Sequence, residues 1–174
     1  MTEERKKDEE LAQHMDALYG YALVLSRDGV TAADLVQETY LHALAAKDRL
    51  WQNRAVKNWL FAILRNLWFN QWRKVKKRGE QSLKQDSANA NSIHRAMESQ
   101  NAENPGTLYE RKLVHAAIEQ LPPEFREVIL LREFEEFSYH EIAGILDCPP
   151  GTVMSRLARA RAKIGILLSK AGAI

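Results

Sequence analysis

The sequence lacks the features of an exported or membrane-embedded protein. It has a single cysteine, Cys148, among its 174 residues and therefore no intrachain disulfide. It contains no apolar run of about 18 residues, the length that predicts a membrane-spanning helix. The charged segment at residues 1–10, MTEERKKDEE, has no apolar centre of the kind found in export signals. These absences predict a protein of the reducing cytoplasm.

The motifs of an enzyme are also missing. No Gly-rich phosphate loop and no nucleophile motif occurs, and His140-Glu141 is not a zinc-protease motif because Gly144 stands where the second histidine is required. The histidines lack metal-ligand spacing: His14, His42, His94, His115 and His140. We therefore predict no catalytic residue, no metal and no cofactor, although a helical-bundle enzyme stays as one alternative.

Acidic residues are absent from two blocks of the chain. Residues 50–79 carry eight Lys or Arg and residues 148–174 carry five, and neither block contains Asp or Glu. Residues 80–147, between them, carry thirteen acidic and six basic side chains, so the net charge of +2 conceals a strong local asymmetry. Two basic blocks on one chain predict two contacts with nucleic acid. The alternative is two solvated helix faces.

The chain is predicted to be all-α, with two small helical domains joined by a flexible linker. Residues 79–107 are rich in Gln, Ser, Asn and Ala and nearly lack apolar periodicity, which is typical of a linker. Within them, one helical turn is possible near Ile93–Met97. The linker separates a helical bundle at residues 11–78 from a second domain at 108–174, and residues 1–10 form a charged tail.

Helical spacing of apolar residues recurs through the first domain. It predicts one helix over Leu11–Ser26 and a long one over Val56–Lys77. Between them, Thr31-Ala-Ala-Asp34 resembles a capping box and is predicted to open a further helix. No segment shows the sustained alternation that predicts a strand.

The second domain is predicted to end in a helix-turn-helix. Pro122-Pro123 ends one helix, and Pro123 suits the first turn of the next. Ser138-Tyr-His-Glu141 is a capping box for a short helix, Asp147–Gly151 breaks that helix, and the last helix runs from about Thr152 to Leu168. One buried stripe of this last helix is predicted: Val153, Leu157, Ala160 and Ile164. A plain α-hairpin with a basic surface is the alternative.

The opposite face of the last helix is predicted to enter the major groove of DNA, where Arg reads guanine. The residues on that face are Met154, Ser155, Ala158, Arg159 and Ala162. Arg156, Arg161 and Lys163 lie on its flanks, where cations reach phosphates.

Residues 51–74 interleave aromatic rings with cations. All four tryptophans are here, with Phe61 and Phe69, and such rings can stack on unpaired bases. Three residues suit a buried stripe: Trp59, Leu60 and Ile63. For three others, both core packing and base stacking stay open: Trp68, Phe69 and Trp72. Residues 73–78, RKVKKR, either lie on duplex phosphates or form a solvated helix end.

At this point the sequence resembles the extracytoplasmic-function (ECF) sigma factors, the minimal two-domain form of the sigma-70 family. The resemblance spans about residues 11–78 and 108–168. It is carried by the order and spacing of five segments: Asp34–Leu41 (DLVQETYL), Asn58–Asn66 (NWLFAILRN), Leu121–Leu130 (LPPEFREVIL), Ser138–Ala143 (SYHEIA) and Gly151–Arg161 (GTVMSRLARAR).

The resemblance implies three binding surfaces. One docks on a coiled coil of the largest subunit of RNA polymerase: Asp34, Leu35, Gln37 and Glu38. A second melts the promoter −10 element and captures a flipped base, with Asn66 contacting the opened strand: Lys57, Arg65, Asn66, Phe69, Asn70, Arg73 and Lys74. A third reads the −35 element: Thr152, Met154, Ser155, Arg156, Ala158, Arg159 and Arg161. An acidic patch is a further candidate for protein contact: Glu133, Glu135 and Glu136.

The implied partners are core RNA polymerase, promoter DNA and an anti-sigma factor, often membrane-bound, which would hold the protein at the inner membrane. The linker is expected to thread near the active-site channel of the polymerase. Two positions depart from the family pattern: Met154 replaces the usual Lys or Arg, and Pro150 replaces a branched apolar residue. A free-standing helix-turn-helix regulator that binds operator DNA as a dimer is the alternative function.

Overall fold

The computed structural model describes residues 3–46, 56–77 and 105–172. The chain divides into two compact units, residues 1–89 and 90–174. All regular structure in the described residues is helical, which confirms the predicted all-α, two-domain fold.

The first unit is a bundle packed around an aromatic and aliphatic core. Its helices are α1 (Glu3–Ala12), α2 (Met15–Ser26), α3 (Gly29–Ala45) and α4 (Val56–Lys77). Helices α2, α3 and α4 all pack against one another. Tyr21 of α2 stacks on Phe61 of α4 with ring centroids 5.1 Å apart, and both side chains are fully buried. The predicted bounds of α4 are confirmed.

Three features of this unit differ in detail from what the sequence predicts. Helix α3 begins at Gly29, because the extended residue Asp28 is its N-cap and accepts the Thr31 backbone N–H at 2.9 Å. Thr31 is therefore the third residue of the helix and does not open it. The single helix expected over Leu11–Ser26 is two helices with a turn at residues 13–14, and Met15, the first residue of the second helix, is 37% exposed. The segment expected as a charged tail is helical from Glu3.

The second unit carries the helix-turn-helix. Helix α5 (Pro105–Glu119) is followed by α6 (Pro123–Ile129), which continues as a π-helical segment at Leu130–Phe134. The last two helices are α7 (Tyr139–Leu146) and α8 (Pro150–Lys170). Helix α8 packs on α5, α6 and α7 and thus forms the centre of the unit. It begins two residues before the predicted start, since Pro150 occupies a first-turn position that needs no backbone N–H.

Local backbone features define both ends of α7, the helix that precedes the turn into α8. The capping box at Ser138 is confirmed: its hydroxyl accepts the Glu141 N–H at 3.2 Å, and the Glu141 carboxylate accepts the Ser138 N–H at 2.7 Å. Helix α7 ends at Leu146 and is followed by its C-cap residue Asp147, whose φ of 50° is left-handed. Ala143, a small residue of α7, is 7% exposed. These features orient α8 against α7.

A buried arginine joins α5 to α6. Arg126 is 3% exposed and donates to the carbonyl oxygens of Ile118 at 3.3 Å, Glu119 at 2.6 Å and Leu121 at 2.9 Å. Ile118 and Glu119 lie in the last turn of α5 and Leu121 lies two residues beyond it, where carbonyl groups lack i+4 helical donors, although Ile118 also accepts the Leu121 N–H at 3.1 Å. The guanidinium therefore caps α5 and fixes the corner into α6.

Candidate nucleic-acid and polymerase interfaces

Helix α8 has one buried side and one exposed side. Val153, Leu157 and Ala160 are at most 1% exposed, which confirms three of the four predicted stripe residues, and Ile164 is half-buried. All of the residues predicted to face the groove are exposed: Met154, Ser155, Ala158, Arg159 and Ala162. The exposed side therefore presents the small side chains of Ser155, Ala158 and Ala162 around one long cation, Arg159, with Met154 at its edge.

Three further residues predicted to contact the −35 element differ in their surroundings. Thr152 and Arg156 are half-buried, on one flank of α8. The Ser155 hydroxyl donates to the Thr152 carbonyl at 3.0 Å, so it is left to accept a hydrogen bond from a base. Arg161, on the other flank, is bonded to Glu133.

Helix α4 exposes amides and cations on the side away from its core. Leu60 and Leu64 are at most 1% exposed. Asn66, Asn70 and Arg73 follow one another at intervals of four and three residues and are exposed, so they lie along one side of the helix. Lys74 is exposed beside them. The structure thus brings together four of the residues predicted to contact the −10 element.

An aromatic cluster borders this exposed side. The Arg65 guanidinium lies over the Phe69 ring, 4.4 Å from its centroid, and Phe69 meets Trp72 edge to face at 6.3 Å. Phe69 is half-buried and Trp72 is 44% exposed. Both rings are therefore accessible in part to an incoming base. Trp59, Ile63 and Trp68, of which the first two were expected in the core, are half-buried.

Residues 51–74, called the basic-aromatic block below, include two side chains that do not lie on the exposed side of α4. Phe61 is 0% exposed in the core, so it offers no ring for base stacking. Lys57 is half a turn around α4 from Asn66 and lies over the Phe61 ring at 5.9 Å, so the structure does not bring it to the exposed side. Trp51, Arg54 and Arg78 lie outside the described residues.

Helix α3 carries the residues predicted to dock on polymerase. Asp34 and Gln37 are exposed, and Glu38 is half-buried and accepts a hydrogen bond from the Gln71 amide at 3.3 Å. Leu35 is 0% exposed, so its assignment to the docking surface is wrong: its side chain fills the core.

Sequence reasoning missed exposed apolar residues on the same side of α3. Val30 is 72% exposed, Leu41 58% and Leu44 37%. With Asp34 and Gln37 they follow a spacing of three and four, which places them on one helix face. This face, called the α3 face below, consists of Val30, Asp34, Gln37, Leu41 and Leu44. The sequence did indicate this face, because Val30, Leu41 and Leu44 do not share the helical spacing of the buried residues of α3.

These surfaces define a DNA-binding protein with a helix-turn-helix unit and a second helical unit that exposes amides, cations and rings. Comparison with known families agrees. The family described as Sigma-70 region 2 matches residues 11–78, and the family described as Sigma-70, region 4 matches residues 111–164.

Similar proteins are ECF sigma factors. The chain is 36% identical to the ECF RNA polymerase sigma factor EcfG of Rhodopseudomonas palustris, over 90% of this chain and 82% of the relative. It is 36% identical to the ECF RNA polymerase sigma-E factor of Escherichia coli, over 75% of this chain and 70% of that protein. Among solved structures, RpoE of Bartonella quintana, in complex with the anti-sigma factor NepR, matches with a TM-score of 0.68 and 30% identity, covering 93% and 96% of the chains.

The chain therefore belongs to the ECF sigma factors of the sigma-70 family. It binds core RNA polymerase, directs it to promoters with −35 and −10 elements and helps to open the −10 region. Sigma factors are transcription initiation factors rather than enzymes. None of the described helices is long and apolar enough to cross a membrane. Most of the predicted linker, residues 79–104, lies outside the described residues. Its last residues, Pro105–Thr107, begin α5.

Proposed function

We propose that the two units divide promoter recognition: α8 reads the duplex −35 element, α4 opens the −10 element, and the α3 face holds the polymerase. The observation that carries this proposal is the pair of exposed, acid-free faces on α4 and α8, one with rings and amides and one without. Rings suit unpaired bases, whereas a slim helix with one long cation suits an intact groove.

On α8, the exposed side is narrow enough to approach base edges. Ala158 and Ala162 add only methyl groups beside Arg159, which has the length and the paired donors to bond a guanine. Half-buried Arg156 lies on the flank, where a cation contacts phosphate and contributes affinity rather than sequence selectivity.

Replacing Arg159 by Ala is expected to weaken binding of the holoenzyme to duplex −35 DNA by about 1–3 kcal/mol and to relax selectivity at one base pair. The matched control is Lys170→Ala, which removes the same charge from the exposed end of the same helix. Affinity is measured on fragments with single base-pair changes. A uniform loss on all fragments would mean that Arg159 contacts only the backbone.

On α4, strand opening exchanges base stacking for stacking on protein. Phe69 and Trp72 form an edge-to-face pair, and Asn66 and Asn70 supply amides one turn apart on the exposed side. An amide can bond the edge of an unpaired base, and the cations Arg73 and Lys74 can follow the backbone. We assign Asn66, Asn70, Phe69, Arg73 and Lys74 to the opened strand.

The α3 face is suited to a protein partner. Its exposed apolar residues flank Asp34 and Gln37, and an apolar centre with polar neighbours is the composition of a protein interface. An exposed carboxylate would repel DNA, which makes polymerase the appropriate occupant.

Reversing the charge of Asp34 with Lys is expected to lower the affinity for core polymerase at least about tenfold, because like charges across an interface are costly. Binding is measured by titrating labelled sigma with core enzyme. The control is Glu10→Lys, an equal charge change at an exposed site of α1. Equal affinities for wild type and Asp34→Lys would refute the docking role.

The remaining expectations concern regulation and location. RpoE of Bartonella quintana was solved with an anti-sigma factor, and we propose that this chain is likewise held inactive by an anti-sigma protein. We further propose that it acts in the cytoplasm and makes no bonds itself, with polymerase supplying the catalysis.

The test of the whole proposal is transcription in vitro with purified core polymerase, followed by mapping of the start sites. Discrete start sites that share two spaced sequence elements are expected only when the chain is added. The alternative, a free-standing regulator, would bind DNA without giving core enzyme any specific start. That result would overturn the proposal.

A further inference from the structure

The cations on the two flanks of α8 have different neighbours: Lys163 lies over the Phe125 ring at 5.8 Å from its centroid, whereas Arg161 pairs with a carboxylate. Arg156 and Lys163 are seven residues apart and therefore lie on one flank, while Met154 and Arg161, also seven apart, lie on the other. On the second flank, Arg161 is the cation. Met154, at the position where the sequence departs from the family pattern, is uncharged and 53% exposed.

Arg161 is engaged by a carboxylate from outside α8. Its Nη2 donates to Glu133 Oε1 at 2.6 Å and its Nε donates to the same oxygen at 3.2 Å. The hydrogen bond to Glu133 is the largest cause of a raised pKa for Arg161, and Tyr139 also contributes a hydrogen bond. A charge-assisted pair with two donors holds the guanidinium more firmly than a single contact does.

Glu133 is placed for this contact by the π-helical segment. The residues from Arg126 to Leu131 are buried, and the segment closes with a hydrogen bond from the Glu135 N–H to the Leu130 carbonyl at 3.1 Å. Glu133 itself emerges on the surface beside α8, and its side chain is 46% exposed.

We infer that Glu133 is a positioning residue that withholds Arg161 from the promoter phosphates, so that α8 contacts the DNA backbone through its Arg156 and Lys163 flank alone. This inference rests on the proposed role of α8 at the −35 element. A phosphate that approached Arg161 would also approach the Glu133 carboxylate, which repels it. Freeing the guanidinium would require breaking two hydrogen bonds and leaving a carboxylate beside the polyanion.

A measurable consequence follows from counterion release. Each phosphate contact adds about 0.9 to the slope of log affinity against log salt concentration. Because Arg161 makes no phosphate contact, the wild-type protein should bind the −35 element with one phosphate contact fewer than the number of cations on α8 would predict. Arg161→Ala alone should leave the salt slope nearly unchanged.

The test measures duplex −35 affinity of reconstituted holoenzyme at several salt concentrations. Glu133→Gln keeps the size of the side chain and removes the charge that pairs with Arg161 and repels phosphate, so it should steepen the slope by about one and tighten binding roughly 3- to 10-fold at low salt. The double variant Glu133→Gln with Arg161→Ala should return to the wild-type slope. Because the pair is exposed, all three variants should fold.

A control separates the pair from general charge. Glu136→Gln removes the same charge from an exposed neighbour, and it should leave the slope unchanged. An unchanged slope for Glu133→Gln, a slope that stays steep in the double variant, or an equal effect of Glu136→Gln would each overturn the inference. If Arg159→Ala also leaves duplex affinity unchanged, the proposed role of α8 at the −35 element is refuted as well. If Arg159→Ala weakens duplex binding as expected, only the role inferred for Glu133 is refuted.

Discussion

Replacing Arg126 by Met is expected to lower the free energy of unfolding of the C-terminal unit by about 3–5 kcal/mol. It removes the side-chain donor from the buried Leu121 carbonyl and the part-buried Glu119 carbonyl, while the Ile118 carbonyl keeps the Leu121 N–H. Arg126 is 3% exposed and donates to the carbonyls of Ile118, Glu119 and Leu121. Met is similar in length and apolar, so the loss would come from hydrogen bonds and charge rather than from a cavity. Duplex −35 binding should fall with the folded fraction.

The tryptophans allow the two units to be followed separately. All four lie between residues 51 and 72, within the first unit, so their fluorescence reports on that unit alone, whereas helical circular dichroism reports on both. Arg126→Met should shift the dichroism transition of the C-terminal unit and leave the fluorescence midpoint unchanged. Arg111→Met, at an exposed site of α5, is the control and should shift neither by more than about 0.5 kcal/mol. Equal stability of the two variants would contradict the capping role of Arg126.

The second large effect is expected at Phe61, compared with Phe69 eight residues later on the same helix. Phe61 is 0% exposed and stacked on Tyr21, so Phe61→Ala should destabilise the first unit by about 3–5 kcal/mol. Phe69 is half-buried beside the exposed side of α4. Phe69→Ala should cost the first unit far less stability and instead disfavour promoter opening by about 1–3 kcal/mol.

Tryptophan fluorescence during denaturation measures the stability of the first unit, and the fraction of promoter in the open state measures promoter opening. The two variants serve as controls for each other because the chemical change is identical. A similar loss of stability in both would place Phe69 in the core. If folded Phe69→Ala protein opened the promoter normally, the assignment of Phe69 to the −10 surface would be refuted.

The helical architecture could be predicted because its signals are local. The apolar spacing of α4 gave its bounds, the capping box at Ser138 gave the start of α7, and the Pro-Pro-Gly break gave the turn before α8. The start of α3 was misplaced because Asp28 and Thr31 are both good caps, and only the backbone conformation decides between them. The Arg126 cap could not be predicted, since it joins residues of two helices through a corner.

The binding surfaces were harder to predict than the fold, because a sequence motif does not distinguish its buried residues from its exposed ones. Leu35 and Asp34 are neighbours in the family segment, yet one fills the core and the other is exposed. Phe61 and Lys57 share the composition of the basic-aromatic block but face its inner side. The Glu133–Arg161 pair depends on a contact between separate helices, which no local pattern contains.

The division of labour between α8 and α4 is tested most directly by mapping unpaired thymines with permanganate in holoenzyme complexes, on a fully duplex promoter and on one with an artificially unpaired −10 element. Holoenzyme with Phe69→Ala should bind the duplex promoter but leave its thymines paired and unreactive to permanganate. On the template with the unpaired −10 element, it should form complexes as the wild type does. Arg159→Ala should remain defective on both templates. If unpairing the −10 element rescues both variants equally, or neither, then α4 and α8 do not act on separate stretches of the promoter.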